Sequence, residues 1–445
     1  MSTKNSEKKV IDDKTIAIYG LGNVGAPIAA TWLRAGARVI GVDISKKLLT
    51  EIKNGTSHKK EPFVSQVFQK ALVEKKLTLT NNGSLASKNS DIKIIIVPVA
   101  LKNGRTDLQN VITVTKTIAK HIKKNDVIIL SPSVPPGTTE NIVLPILEKE
   151  SSLIAEKDFL LIYNPERIFE GRAIQDIEEN YPSIVAGLGK KSTSFAKKFF
   201  KIIAKKGVIV LPNLVTAEAE KLFEGVYRDV NIALANQLSH YCEKAGINFW
   251  EARTAANSQP YCHLHYPGTG VGGLCIPVYP KIILESSKKL GKELQLLEYS
   301  RKINDKMPIH CVNNALKILK QKNKKIMGKK ISVLGLGFRG EVTDKRLSPT
   351  YTVVKHFIKN GCKVEVHDPF ILTDDELPSN VKLSSNLKKV IQQSDLIFIS
   401  TDHNLYKKLD QKLIKNAKPD VIIYDGRNIL DKNNFKIEDI FTIGI

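Results

Sequence analysis

Short apolar, β-branched runs recur along this chain, and two of them meet glycine-rich turns. Thr15–Tyr19 reads TIAIY and runs into Gly20-Leu21-Gly22, while Ile331–Leu334 reads ISVL and runs into Gly335-Leu336-Gly337. An apolar run that enters such a turn and continues into a helix-like stretch opens a βαβ unit. Further strands are expected at Arg38–Val42, Ile92–Val97, Val127–Leu130, Phe159–Ile162 and Val208–Leu211, then at Lys363–His367, Leu396–Ser400 and Val421–Tyr424. Strands alternating with helical stretches predict parallel sheets covered on both faces, here in two copies.

Between the copies the pattern changes. Thr216–Ala245 contains no proline, and Leu222, Val226, Val230, Leu234 and Leu238 recur every four residues. Thr216 suits the cap of such a helix, and Glu218 suits its first-turn dipole. Its length is on the order of 45 Å, enough for a spine and a dimer surface; an ordinary core helix is the plainer alternative. The expected fold is therefore α/β: two Rossmann-like doubly wound parallel-sheet domains joined by a long central helix and an all-helical middle domain. The boundaries read as 1–212, 213–315 and 316–445.

Composition changes this picture little. The start, MSTKNSEKKVIDDK, has no apolar stretch of the secretory type, and no run long enough to span a membrane occurs. The five cysteines are scattered and odd in number, which fits a reducing cytosol better than a disulfide framework. The formal charge of +23 invites an anionic partner. Its lysines are dispersed, however, densest at 321–330, with little aromatic interleaving, so neither nucleic acid nor a membrane is expected as partner.

The first turn, Gly20-Leu-Gly22-Asn23-Val24-Gly25, is followed by Asp43 at the end of the next strand, about 18 residues on. Gly20 permits the tight turn, Gly22 lets backbone approach a pyrophosphate, and Gly25 allows close packing of helix on strand. The Asp43 carboxylate accepts from ribose hydroxyls and repels a 2′-phosphate, so NAD is the expected cofactor, not NADP. Gly335-Leu-Gly337-Phe338-Arg339-Gly340 has the same spacing, but its acid, Asp368, counts as too distant for the ribose. Arg339 and Arg346 there suit a phosphate group, and a half-Rossmann domain for one mononucleotide is expected.

Pro267-Gly-Thr-Gly270-Val-Gly272-Gly273-Leu-Cys275-Ile-Pro277 exposes backbone amides and ends in a cysteine placed like a nucleophile. Cys242, Cys311 and Cys362 read as small core residues. Cys262, His263, His265 and Cys275 lie close in sequence, yet match no common zinc spacing, and no metal is expected. On the long helix Lys221, Gly225 and Arg228 share one face, where two cations can line an anion site or simply meet solvent.

These segments, with SVPPGTT at 133–139, NPERIFEG at 164–171, KLFEGVYRDVNIALAN at 221–236, GVGGLCIP at 270–277, GLGFRGEVTDKRLSP at 335–349 and DGRN at 425–428, resemble the UDP-glucose/GDP-mannose dehydrogenase family over nearly the whole chain. The cysteine loop looks more like the UDP-N-acetylhexosamine branch. The resemblance implies NAD-dependent oxidation of a sugar C6 alcohol to the uronate, with the aldehyde captured by Cys275 as a thiohemiacetal and then a thioester. UDP-N-acetyl-D-mannosamine is the first choice of substrate, before UDP-N-acetylglucosamine and UDP-glucose. It implies a cytoplasmic homodimer formed through the central helices, in polysaccharide or glycan-precursor synthesis.

It also assigns roles. Glu166 matches the family's general base and water-positioning carboxylate, and Lys221 the lysine that steadies an oxyanion. Pro98 and Ser133 join the first glycine turn as cofactor contacts. Asn164, Arg167, Arg228, Asn231, His263, Gly270, Gly272, Gly273, Phe338, Arg339 and Arg346 fall at substrate-binding positions. The chain departs from the pattern at Gly225, where many members carry Asn, and at Tyr279, where many carry Asp. Leu274 and Tyr261 likewise stand where histidine and arginine are common. The first two changes remove polar partners of the hydrolysis step, so a silent nucleotide-sugar binding protein is the contrasting reading. A two-electron hydroxyacid or polyol dehydrogenase does not need the cysteine loop.

Overall fold

The structure is a computed structural model that describes residues 10–11, 13–58, 61–102, 104–322, 325–435 and 440–445. The polar start at 1–9 and part of the lysine run at 321–330 lie outside the described residues. The chain forms two compact units: residues up to Glu224 with Lys281–Leu290, and Gly225–Pro280 with Gly291–Ile445.

The first unit is built on β1 (Thr15–Tyr19), β2 (Arg38–Val42), β3 (Leu77–Thr80), β4 (Ile92–Ile95), β5 (Val127–Leu130), β6 (Leu160–Tyr163), β7 (Ser183–Gly187) and β8 (Val208–Val210). Their order is β8-β7-β6-β5-β4-β1-β2-β3, so the first six strands follow the dinucleotide-fold sequence 3-2-1-4-5-6. One pair departs from the expected parallel sheet: β6 and β7 run antiparallel, with Ile162 opposite Gly187. Central strands covered on both faces are apolar throughout, and β5 (VIIL) is wholly buried. Lys93 in β4 is the exception, and its buried ammonium is matched by Asp126 and by the Ser90 carbonyl. Helix α1 (Gly25–Arg34) packs on this sheet, its Trp32 ring stacked 3.9 Å from that of Phe199.

Helix α2 (Leu214–Ala245) starts two residues before the expected point. Asn213 caps it by accepting from the Thr216 N–H at 2.8 Å, and Thr216 lies inside. The four-residue series also fails as a core stripe, because each step of four turns about 40° past a full rotation. Leu222 is buried, whereas Leu234 is 45% exposed.

The second unit carries the rest of α2, the start of α3 (Tyr279–Lys289) and α4 (Gln295–Gln321). Its sheet comprises β9 (Lys330–Leu334), β10 (Lys363–His367), β11 (Lys382–Ser384), β12 (Leu396–Ile399), β13 (Ile422–Asp425) and β14 (Ile440–Thr442), ordered β11-β10-β9-β12-β13-β14. Every pair is parallel. This is a complete six-stranded Rossmann order, which corrects the half-domain expectation. No helix follows its glycine turn directly; α5 begins only at Thr350 (Thr350–Lys359), after Pro349. Among the described residues no helix is long and apolar enough to cross a membrane.

Candidate active site

On the first unit, β1 delivers the turn Gly20–Gly25 to the point beside β4 where the strand order reverses, the usual ligand crevice of such sheets. Gly20 has φ +102°, and a Cβ there would stand 2.7 Å from the Ile96 carbonyl oxygen. A Cβ on Gly25 would stand 1.9 Å from the Gly20 oxygen, so both positions need glycine for the fold itself. At Gly22 nothing lies within 4 Å. That open face is where backbone can approach a pyrophosphate, just before Asn23 and the α1 cap residue Val24. Asp43 accepts from the Leu21 and Ser45 N–H groups, each at 2.9 Å. A carboxylate has about four acceptor positions, so ribose hydroxyls still find room. These residues fit NAD.

Two further loops border the carboxyl ends of these strands. The 133–139 segment, with half-buried Ser133, is clamped by Glu218, a residue the sequence reading placed only in the helix dipole. Its buried carboxylate accepts from Gly137 N at 2.5 Å, Thr139 N at 2.8 Å and Thr139 Oγ1 at 2.6 Å. Pro98 is exposed, and its carbonyl accepts from Asn110 Nδ2 at 3.0 Å. The second loop begins at Asn164, whose Nδ2 donates to Ile184 O at 2.7 Å. Glu166 follows, with Oε2 accepting from Ile168 N at 3.0 Å. Glu166 and Arg167 line a small cavity together with Trp32, Ser131 and Tyr181.

Arg167 donates to Glu224 at 3.1 Å and to Pro182 O at 2.7 Å, and lies 3.9 Å from Glu220. Lys221, buried on the same helix, stands 3.6 Å from Glu224. Burial, then the neighbouring Glu224 charge, pushes the Glu220 carboxyl up to about 7, against the pull of Arg167. The sequence reading missed both glutamates, which resemble ordinary surface residues of a helix until Arg167 is placed.

On the second unit, the cysteine loop lies along the carboxyl ends of β9, β12 and β13. Thr269 Oγ1 donates to Ser400 O at 3.0 Å, and a Cβ on Gly268 would meet Arg427 Nη1 at 2.7 Å. Gly270 has φ +129°, closed in by Pro308 and Pro349. A Cβ on Gly272 or Gly273 would meet the Phe338 side chain at 2.5 or 2.9 Å, and Gly273 N donates to Arg346 O at 2.9 Å. Four expected substrate residues, Gly272, Gly273, Phe338 and Arg346, are therefore brought together. The Arg346 guanidinium is held by Asp344 at 2.8 and 2.5 Å. Asn231 Oδ1 accepts from His265 N at 3.0 Å and anchors the approach to the loop. His263 and Arg228 are exposed, so Arg228 stands apart from buried Gly225 along α2. Arg427 was not singled out as a site residue, although its DGRN segment was recognised.

Cys275 is exposed, and its carbonyl accepts from the N–H groups of Val278 and Tyr279 at 3.1 and 2.9 Å as the chain winds into α3. The other cysteines differ. Burial raises the thiols of Cys242, Cys311 (to about 12) and Cys362 (to about 11), which keeps them unreactive. Cys262 Sγ donates to Asn257 Oδ1 at 3.4 Å.

The second glycine turn corrects the residue count made from sequence. Leu334 pairs with His367 in β10 as Tyr19 pairs with Val42 in β2, so Asp368 holds the place of Asp43. Asp368 is fully buried and accepts from Leu336 N (2.8 Å), Gly337 N (3.0 Å), Phe370 N, Ile371 N and His403 Nε2. The protein's own carboxylate thus fills this turn.

Comparison with known proteins agrees along the whole chain. Residues 14–204, 215–306 and 332–432 match the NAD binding, central and UDP binding domains of the UDP-glucose/GDP-mannose dehydrogenase family. The chain is 33% identical to a UDP-N-acetyl-D-mannosamine dehydrogenase of Pyrococcus horikoshii, over 93% of this chain and 96% of that one. It is 30% identical to an NDP-N-acetyl-D-galactosaminuronic acid dehydrogenase of Ralstonia nicotianae, over 94% and 97%. Among solved structures, UDP-D-ManNAc dehydrogenase from Pyrococcus horikoshii superposes with a TM-score of 0.88 at 32% identity, covering 97% of this chain and 99% of that one. The Cap5O UDP-N-acetyl-mannosamine dehydrogenase from Staphylococcus aureus gives 0.84 at 28% identity, covering 97% and 98%.

Proposed function

The chain belongs to the UDP-glucose/GDP-mannose dehydrogenase family, an NAD-dependent group acting on nucleotide sugars, and within it we propose oxidation of the C6 alcohol of UDP-N-acetyl-D-mannosamine to the uronate. The observation that carries this reading is Cys275, exposed at the end of a glycine loop that is packed against Phe338. The UDP-N-acetylmannosamine dehydrogenases among the relatives named above support the choice of sugar.

Bound NAD supplies a hydride acceptor for each of the two oxidations. The Cys275 thiolate adds to the C6 aldehyde, forming a C–S bond and a thiohemiacetal. Loss of the second hydride leaves a thioester, which water splits into the carboxylate, the Cys275 thiolate and two protons. Lys221 steadies the oxyanion in these steps, and Glu166 takes the proton from water. Covalent capture keeps the aldehyde from escaping between the oxidations.

The three-part division at 212/213 and 315/316 belongs to this proposal, as does a homodimer through the central helices. Phe223, Tyr227, Leu234 and Tyr241 are 58%, 55%, 45% and 62% exposed along α2. Seven residues make nearly two turns, so these side chains form one apolar stripe of the kind covered by a partner. Light scattering at micromolar concentration should give twice the chain mass; a monomer would contradict it.

The decisive test supplies NAD with UDP-N-acetylmannosamine, UDP-N-acetylglucosamine or UDP-glucose, following NADH and the product mass. The expected result is two NADH per sugar and a uronate from the first, lost in Cys275→Ala. Uronate from another sugar would rename the substrate. Sugar binding without NADH would leave a binding protein.

A further inference from the structure

Glu61 is almost completely buried, 6% exposed, in the connection that leads to the helix beginning at Val64. One of its oxygens accepts from the Gly171 N–H, and the other from the Ala173 N–H at 3.3 Å. These two amides lie just beyond the loop that starts at Asn164 and carries Glu166. Among the loop's other bonds, those from Ile168 N to Glu166, Phe169 N to Asp176 and Arg172 N to Phe169 O are local, while the Arg167 side chain reaches Glu224 and Pro182 O, and Asn23 Nδ2 donates to the Glu170 carboxylate at 3.4 Å. At its entry, Asn164 is tied to Ile184 of the neighbouring strand. At its exit, the chain turns through Gly171 at φ +94°. The buried Glu61 carboxylate holds the backbone of this end from more than a hundred residues away, through both the Gly171 and the Ala173 N–H.

Keeping a carboxylate with two N–H partners in a buried site costs desolvation. Burial indeed raises the Glu61 carboxyl, against the two backbone bonds.

We propose that Glu61 is a positioning residue that sets the Glu166 loop. It need not touch substrate for this. The inference rests on the role given above to Glu166, and its test separates the two.

The test uses the full chain with NAD and UDP-N-acetylmannosamine, comparing wild type with Glu61→Gln, Glu61→Asp and, as a control, Glu166→Gln. Amide hydrogen exchange with NAD alone is recorded beside the kinetics. In Glu61→Gln an amide NH₂ faces one of the two backbone N–H groups, so one arm of the clamp is lost. We expect kcat to fall by about tenfold or more, with the NAD KM within about threefold. Amides 168–173 should exchange faster, with β1 and β4 unchanged, and Glu61→Asp should recover part of both effects.

Unchanged exchange at 168–173 in Glu61→Gln would overturn the proposal, as would faster exchange spread over the whole first unit. Full activity in Glu166→Gln would remove the role given to Glu166, while the exchange result would still decide whether Glu61 holds the loop.

Discussion

Gly225 and Tyr279 are fitted to each other: a Cβ on Gly225 would stand 2.4 Å from Tyr279 Cδ2 and 3.1 Å from its Cβ. The tyrosine ring lies on the bare face that glycine leaves on α2, and it is 7% exposed. Two departures from the family pattern, read separately in the sequence, are thus one packing event. Tyr279 is also the residue whose N–H binds the Cys275 carbonyl at 2.9 Å, so the ring braces the turn that presents the nucleophile.

Gly225→Ala should therefore act at a distance. Overpacking of this kind costs about 1–3 kcal/mol, and displacement of the α3 entry should lower kcat more than it raises either KM. Tyr279→Ala added to Gly225→Ala should restore part of the lost stability, because the clashing ring is gone. A double-mutant cycle by thermal unfolding and steady-state kinetics reads this coupling. Simple additivity of the two changes would show that the contact carries no energy.

Asp43 has two duties, bonding the Leu21 N–H of the turn and standing where an adenosine ribose is expected. Asp43→Asn keeps the shape, removes the charge and introduces a donor. The preference for NAD over NADP, measured as the ratio of kcat/KM values, should fall by about tenfold or more. The NAD KM should rise as well, since the amide can turn its NH₂ toward the Leu21 N–H. An unaltered ratio would mean that another group rejects the 2′-phosphate.

What could be read from sequence follows from where the information sits. β5 (VIIL) and β12 (LIFI) announce themselves because strands buried on both faces are apolar without interruption. Edge strands such as Leu77–Thr80 and Lys382–Ser384 bury only part of their side chains, and their polar character hid them. Gly20, Gly22 and Gly25 were legible through backbone chemistry that no other residue supplies. Glu218 and Glu61 were not, since each binds backbone N–H groups 79 to 112 residues away and backbone donors leave no mark in sequence. Asp368 was discounted because residues 341–349 are inserted between turn and helix, which lengthens the count without changing the strand register.

The Glu218 clamp makes a separate prediction. Glu218→Ala would leave the Gly137 and Thr139 N–H groups and the Thr139 hydroxyl without their acceptor in a buried place. Such losses cost about 1–3 kcal/mol each in part-compensated settings, so the melting temperature should drop clearly. NAD binding should weaken too, because Ser133 lies on the loop that Glu218 holds. Thermal unfolding with and without NAD checks both, and a stabilisation by NAD equal to that of wild type would separate the loop from the cofactor.

Asp368 provides the pH prediction, and its sign follows from its surroundings. Burial alone would raise its carboxyl, but the bonds from His403, Gly337 and Phe370 outweigh it and hold the carboxyl down at about 2, below the ordinary 3.8. The folded state thus favours the charged form, and the unfolded chain binds the proton first. Stability from this group is fully present above pH ~4 and is lost as pH falls toward about 2, amounting to roughly 2 kcal/mol. His403 Nδ1 accepts from the Glu341 N–H at 3.0 Å, which places the ring proton on Nε2, toward Asp368. Asp368→Asn should be less stable than wild type at neutral pH, and the difference should narrow between pH 4 and 2 in denaturant titrations. Because this carboxylate already takes the Leu336 and Gly337 N–H groups, the second turn offers those amides to no phosphate. Diphosphate affinity should then depend on Arg339 and Arg346: Arg339→Ala should weaken UDP binding by about tenfold or more at low salt, read by calorimetry. UDP binding unchanged in Arg339→Ala but lost in Asp368→Asn would reverse that assignment.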